Sequence, residues 1–237
     1  MNKKQKILLL QNGSWSPAQL NPLVWYDNGP EFMAADGSQW TDRASGLNVT
    51  QAVSGNRPVY TANVLNGKPA FVFDGVDDFM SRAALPEIKG IANMTIWAVG
   101  KVYVMGQSSG AADRSEFFHY TDFKLYALPD YNVGGGFGTK DIGDIYNYSV
   151  YIFDGTQITD NNKIKLYANG ALQNPLNITS PPIPNLTSVT ATNFEISRFA
   201  NSAIIGGQVL EAGIVNRSLS PTEITNLNAY LAVKYAL

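Results

Sequence analysis

Cysteine is absent from this 237-residue chain, and His119 is its only histidine. Disulfides and thiolate metal sites therefore cannot support the fold, and a multi-histidine metal centre is excluded. Charge is also scarce, with 17 basic and 19 acidic residues giving a net charge of −2. Beyond Lys3, Lys4 and Lys6 there is no dense basic block, so nucleic-acid binding through phosphate neutralisation is not expected. No apolar run approaches the ~20 residues that span a bilayer, so membrane insertion is not expected either. Internal repeats are lacking.

What is present points to strands. Hydrophobic residues make up 45% of the chain and include 12 Tyr, 11 Phe and 4 Trp, which suit a pleated, half-buried surface. Short apolar runs separated by Gly, Asn, Asp and Pro recur from end to end, the spacing of a sandwich rather than of βαβ units. Strands are expected at Ala70 to Phe73, Thr95 to Tyr103, Phe117 to Tyr120, Phe123 to Ala127, Val150 to Phe153, Ile164 to Ala168, Phe194 to Arg198 and Val209 to Val215. The fold class that follows is all-β, two packed antiparallel sheets with a short C-terminal helix. A chain of this length forms one domain, residues 21–237, preceded by an N-terminal arm, residues 1–20. Met1 to Asn12 begins like a signal peptide, but Ile7-Leu8-Leu9-Leu10 is short for its apolar segment, so the arm reads as an edge strand or docking segment.

Within Thr95 to Tyr103 both alternating faces are largely apolar, Ile96, Ala98, Gly100 and Val102 against Trp97, Val99 and Tyr103. That is a central strand covered on both sides, whereas Lys163-Ile164-Lys165-Leu166 alternates and should keep one wet face. Asn169-Gly170 supplies the two positive φ angles of a type I′ turn, so Ile164 to Ala168 and Ala171 to Gln173 should pair as a hairpin. Ser220-Pro221-Thr222-Glu223 combines an N-cap, a proline at the first helical position and a capping-box glutamate. Ile224, Leu227, Leu231 and Tyr235 then form one apolar stripe. The proline-bearing stretch from Asn174 to Asn193 is expected to be an extended surface connection.

Several segments in order resemble the laminin-G-like, concanavalin-A-like jelly-roll family of phage and bacterial surface proteins. Leu23-Val24-Trp25-Tyr26-Asp27 resembles its opening strand, Trp40-Thr41-Asp42-Arg43-Ala44-Ser45-Gly46 its following turn, and Asn66-Gly67-Lys68-Pro69-Ala70 its next hairpin. Phe71-Val72-Phe73-Asp74-Gly75-Val76-Asp77-Asp78, Leu166-Tyr167-Ala168-Asn169-Gly170 and the ending from Glu211 to Tyr235 are similar as well. Gly213 departs from the pattern where a branched apolar residue is usual, which suggests a bulge or a close backbone approach. The resemblance implies a jelly-roll sandwich and leaves function to be argued from a site.

Asp74, Asp77 and Asp78 form the densest acidic cluster, with a turn role favoured over a calcium site. Asp154-Gly155 has the same ambiguity. The glycine run from Gly134 to Gly138 matches no phosphate-loop spacing and reads as a loop, whose neighbours Tyr131, Tyr146 and Tyr148 could stack on sugar rings. His119 is flanked like a strand residue, and nothing beside it completes a nucleophile motif. No strand carries the alternating carboxylates of a glycosidase, and Glu195 and Glu211 stand alone in theirs, so no catalytic set is assigned. Asn-x-Ser/Thr triplets begin at Asn48, Asn93, Asn147, Asn177, Asn185 and Asn216, but no export signal makes them relevant.

The expected role is therefore non-catalytic binding or assembly. A phage virion surface component, a head or tail decoration or fibre protein with glycan-binding or host-adhesion capacity, is read ahead of a carbohydrate-binding module of a bacterial surface protein. Glycoside hydrolysis ranks below both. Expected partners are other virion or surface proteins reached through residues 1–20, glycans, and further copies of the chain.

Overall fold

The computed structural model describes residues 15–88, 92–110, 113–121, 124–127, 137–141, 143–174, 176–179, 193–199 and 203–237. Asn-Gly turns fold the chain back where the sequence places them. Asn66 and Gly67 have φ of 48° and 79° between β4 (Val59–Leu65) and β5 (Lys68–Phe73). Asn169 and Gly170 have 48° and 78° between β13 (Ile164–Ala168) and β14 (Ala171–Leu172). Both turns carry the two positive φ values that match the twist of paired strands.

One antiparallel sheet has the order β14, β13, β12 (Asn147–Asp154), β7 (Asn93–Lys101), β19 (Gly207–Val215), β5, β4. The short β1 (Val24–Tyr26) also pairs with β19, taking the stretch that β5 leaves open. The other sheet runs β15 (Asn177–Thr179), β11 (Phe137–Asp141), β10 (Lys124–Ala127), β9 (Asp113–Thr121), β8 (Tyr103–Gly110), β16 (Asn193–Ile196), β6 (Met80–Ala83), β3 (Val49–Thr50), β2 (Gln39–Trp40). The expected two-sheet antiparallel sandwich with a C-terminal helix is the observed architecture. His119 lies in β9, as its flanks suggest.

Three boundaries differ from the sequence reading. The strand expected over Thr95 to Tyr103 ends at Lys101: Val102 has φ 51°, and the chain passes there from β7 in the first sheet to β8 in the second. Tyr103 consequently joins the core between the sheets instead of the Trp97 and Val99 face. The corner depends on Gly207, where a Cβ would collide with the carbonyl oxygen of Val102. Phe194 to Arg198 is likewise divided at Ser197, φ 63°, into β16 and β17 (Arg198–Phe199), which pairs with β18 (Ala203–Ile204). Finally, Asn177–Thr179 is not an irregular connection but the edge strand β15, paired with β11.

The chain forms three layers. Between the sheets lie Tyr26, Trp40, Phe71, Phe73, Ile96, Tyr151, Phe194 and Ile214, all buried. The outer face of the first sheet is covered by the C-terminal helix, Pro221–Tyr235, whose Leu227, Leu231 and Tyr235 pack with Trp25, Trp97 and Val150. Ser220 and Glu223 form the reciprocal capping box expected for its start. Burial of those helical side chains, about 1.5–3 kcal/mol each, outweighs a cap worth about 1 kcal/mol. Packing thus holds the helix down, while the cap sets where it begins. Residues 15–20, read from sequence as part of the arm, lie on this same layer: Leu20 is buried and the Trp15 ring meets Tyr230 edge-on.

The turn after β2 is knotted by Asp42. Its carboxylate accepts hydrogen bonds from the backbone N–H groups of Trp25 at 2.7 Å, Ala44 at 3.0 Å, Ser45 at 2.9 Å and Leu47 at 3.0 Å. The segment from Trp40 to Gly46 is therefore an anchor for β1, with the aspartate substituting for backbone pairing that so short a strand lacks.

Candidate functional site

Period-two alternation along β13 buries Ile164, Leu166 and Ala168 and turns Lys165, Tyr167 and Asn169 to the outer face of the first sheet. The C-terminal helix crosses that face beside β12, leaving a groove of about 590 Å³ between helix and hairpin. Tyr148, Lys165, Tyr167 and Asn169 line one side; Ile224, Thr225 and Asn228 line the other. Tyr167 is half-buried and offers a ring at the groove wall. Tyr148 is 2% exposed and forms the floor, where burial pushes its hydroxyl pKa up to about 12. Asn169 locks the hairpin to β12, accepting from the Tyr148 backbone N–H at 3.1 Å and donating its own to the Tyr148 carbonyl at 2.9 Å. The side-chain oxygen of Asn228 is buried and, among the described residues, has no hydrogen-bond partner. Aromatic rings beside amide and hydroxyl groups are the equipment for a polyhydroxylated ligand.

Of the two described tyrosines among the three expected at a glycan site, Tyr148 reaches this groove, as floor rather than as stacking platform. Tyr146 lies toward the far edge of the same face, its hydroxyl donating to Gln208 Oε1 at 2.9 Å. Tyr131 lies outside the described residues. Tyr167, Lys165 and Asn228 were missed from sequence. The hairpin segment Tyr167-Ala168-Asn169-Gly170 carried a signal for Tyr167, because alternation puts it on the wet face; Asn228 carried none, since only docking of the helix turns it to the groove.

Asp74, Asp77 and Asp78 do come together, their carboxylate oxygens lying within 4.8 Å of one another. Asp74 Oδ1 accepts from the backbone N–H groups of Val76 at 2.7 Å, Asp77 at 3.3 Å and Asp78 at 3.4 Å, and Asp78 Oδ2 accepts from that of Asp74 at 3.0 Å. The Val76 hydrogen bond above all holds the Asp74 carboxyl below the usual range, while burial, with the charges of Asp74 and Asp77, raises that of Asp78. These bonds account for the cluster as a self-capped turn.

A second polar constellation was not foreseen. Folding places Glu211 of β19 at 0% exposure beneath the helix. Its Oε1 accepts from the indoles of Trp25 at 2.9 Å and Trp97 at 3.2 Å, and its Oε2 from Lys234 Nζ and the Tyr235 hydroxyl, both at 2.7 Å. Lys234 also pairs with Asp27, which pairs in turn with Arg43. The Arg43 guanidinium stacks 4.1 Å from the Trp25 ring centre. Burial by itself would raise Asp27, but Lys234 and Arg43 outweigh it and hold its carboxyl below the usual range. Gly213, flagged by its missing side chain, explains how the network fits: a Cβ there would penetrate the Trp97 ring. The close approach is at Gly213, whereas the bulge of β19 falls between Val209 and Glu211. Glu195, the other lone glutamate, is 1% exposed and bonded to Arg198.

No family model matches the chain, and no curated protein matches it. Among solved structures it resembles Trypanosoma rangeli sialidase, with a TM-score of 0.56 at 13% identity over 96% of this chain and 37% of the sialidase. It also resembles botulinum neurotoxin type C, whose passage into cells depends on interaction with two ganglioside molecules, with a TM-score of 0.59 at 12% identity over 91% of this chain and 53% of the toxin chain. A third is the binding domain of botulinum neurotoxin DC in complex with rat synaptotagmin II, with a TM-score of 0.58 at 11% identity over 89% and 52% of the two chains. The likeness is one of fold. This chain spans about a third of the sialidase and about half of the toxin chains.

Proposed function

We propose that this chain is a non-catalytic saccharide-binding domain, working in adhesion or assembly at a virion or bacterial surface, with the groove between the C-terminal helix and β12 to β14 as its binding site. The observation that carries the reading is the pairing, in one open groove, of the half-buried Tyr167 ring with Asn169 and Asn228. Sugar rings present apolar C–H faces edged by hydroxyls, and an aromatic wall flanked by amides matches that pattern. The ganglioside interaction of the type C toxin supports the saccharide class for this sandwich architecture. The absence of catalysis is supported by the carboxylates: Asp27, Glu195 and Glu211 are each buried against a cation, and none lines the groove. Most glycosidases work with two carboxyl groups reachable by the scissile bond, and the groove wall offers none. Attachment to a larger particle is assigned to the arm, residues 1–20, of which Trp15 and Leu20 pack on the helix layer.

A glycan array probed with the full chain, followed by calorimetry on the ligands retained, tests the site. Tyr167→Ala should weaken binding about tenfold with an unchanged circular dichroism spectrum. Undiminished affinity in that variant would remove the groove as the site.

A further inference from the structure

The groove is electrostatically one-sided. Among the described lining residues Lys165 is the only charged side chain, and no carboxylate lies in the wall. Lys165 is exposed at the groove mouth and, among the described residues, forms no ion pair within 4.0 Å. The carboxylate whose titration it influences, Asp154, already accepts from the Thr156 hydroxyl at 2.6 Å, the Thr156 backbone at 3.1 Å and Gln157 Nε2 at 2.9 Å. An unpaired cation at the mouth of a groove that otherwise offers hydroxyls and amides selects a ligand with both hydroxyls and a negative charge.

Resting on the saccharide reading, we infer that the groove prefers acidic sugars, with the sugar carboxylate at Lys165 and the ring face on Tyr167. The preference follows from placement. Lys165 and Tyr167 are two residues apart on one strand, so both project from the same face about 7 Å apart, which is on the order of the width of one pyranose with its substituent. Sulfated sugars would present the same charge with different geometry, and free acidic monosaccharides would present it without the neighbouring ring.

The test uses matched pairs of probes: tetragalacturonate against its fully methyl-esterified form, and sialyllactose against lactose, each titrated into the full chain and into Lys165→Gln and Tyr167→Ala. The expected result is that at least one acidic probe binds about fivefold or more tightly than its neutral counterpart in the native chain. Lys165→Gln should abolish that difference while neutral binding persists, and Tyr167→Ala should weaken both members of the pair. The salt dependence of the acidic probe should fall in Lys165→Gln as well. Equal affinity for acidic and neutral members would overturn the acidic preference while leaving the saccharide reading standing. Failure of both pairs, together with an array devoid of binding, would overturn both. Binding of an acidic probe that Lys165→Gln leaves unchanged would also refute the assignment.

Discussion

Replacing Lys234 with methionine keeps an apolar stem of similar length and deletes the ammonium group between Asp27 and Glu211. Asp27 retains Arg43, but Glu211 is left charged at 0% exposure with only the two indoles and the Tyr235 hydroxyl as donors. Breaking a buried pair in this way costs about 3–5 kcal/mol, and the surviving neutral donors place the cost near the lower end. For a domain of this size roughly 3 kcal/mol corresponds to a fall in Tm of about 6–12 °C. Glu211→Gln removes the charge and keeps the shape, so it should cost less, about 1–2 kcal/mol. The double variant should be more stable than the sum of the single losses by about 1–3 kcal/mol, because neither charge is then stranded. Urea titrations of the four proteins, with equal m-values, give the cycle. A loss below about 1 kcal/mol in Lys234→Met, or strict additivity in the double variant, would show that water reaches Glu211 and refute the reasoning.

Gly213→Ala should destabilise by at least 1–3 kcal/mol, since the new methyl displaces the Trp97 ring and with it the indole donor to Glu211; near-ultraviolet circular dichroism of the tryptophans should change with it. Asp42→Ala strips the acceptor from four backbone N–H groups, the Trp25 one buried, and should cost on the order of 3 kcal/mol by denaturant titration, with Asp42→Asn losing less. Glu223 hydrogen-bonds Arg217 and caps the helix, which lowers its pKa to about 2 from the ordinary 4.5. Its contribution to stability is therefore complete above about pH 4.5 and is lost as pH falls through about 2. Solvent reaches this side chain, so the effect is no more than about 1 kcal/mol, and Glu223→Gln should flatten the acid limb of the stability profile by that amount.

Position in the chain decides how much could be read in advance. The Ser220 to Glu223 cap, the two Asn-Gly turns and the alternation along β13 are set by interactions within a few residues, so composition and spacing alone determine them. The two apolar faces of β7 are equally legible, because a strand covered on both sides must be apolar on both. Tertiary structure alone decided the corner at Val102, where the need to change sheets overrides a β-branched residue's preference for continuing the strand. It also decided that Glu211, solitary in its strand, would meet Trp25 and Trp97 through long-range strand pairing and Lys234 when the helix docks. The groove belongs to that second kind: Tyr167 and Lys165 face outward by strand periodicity, but a site exists only because apolar burial lays the helix beside them and turns Asn228 inward.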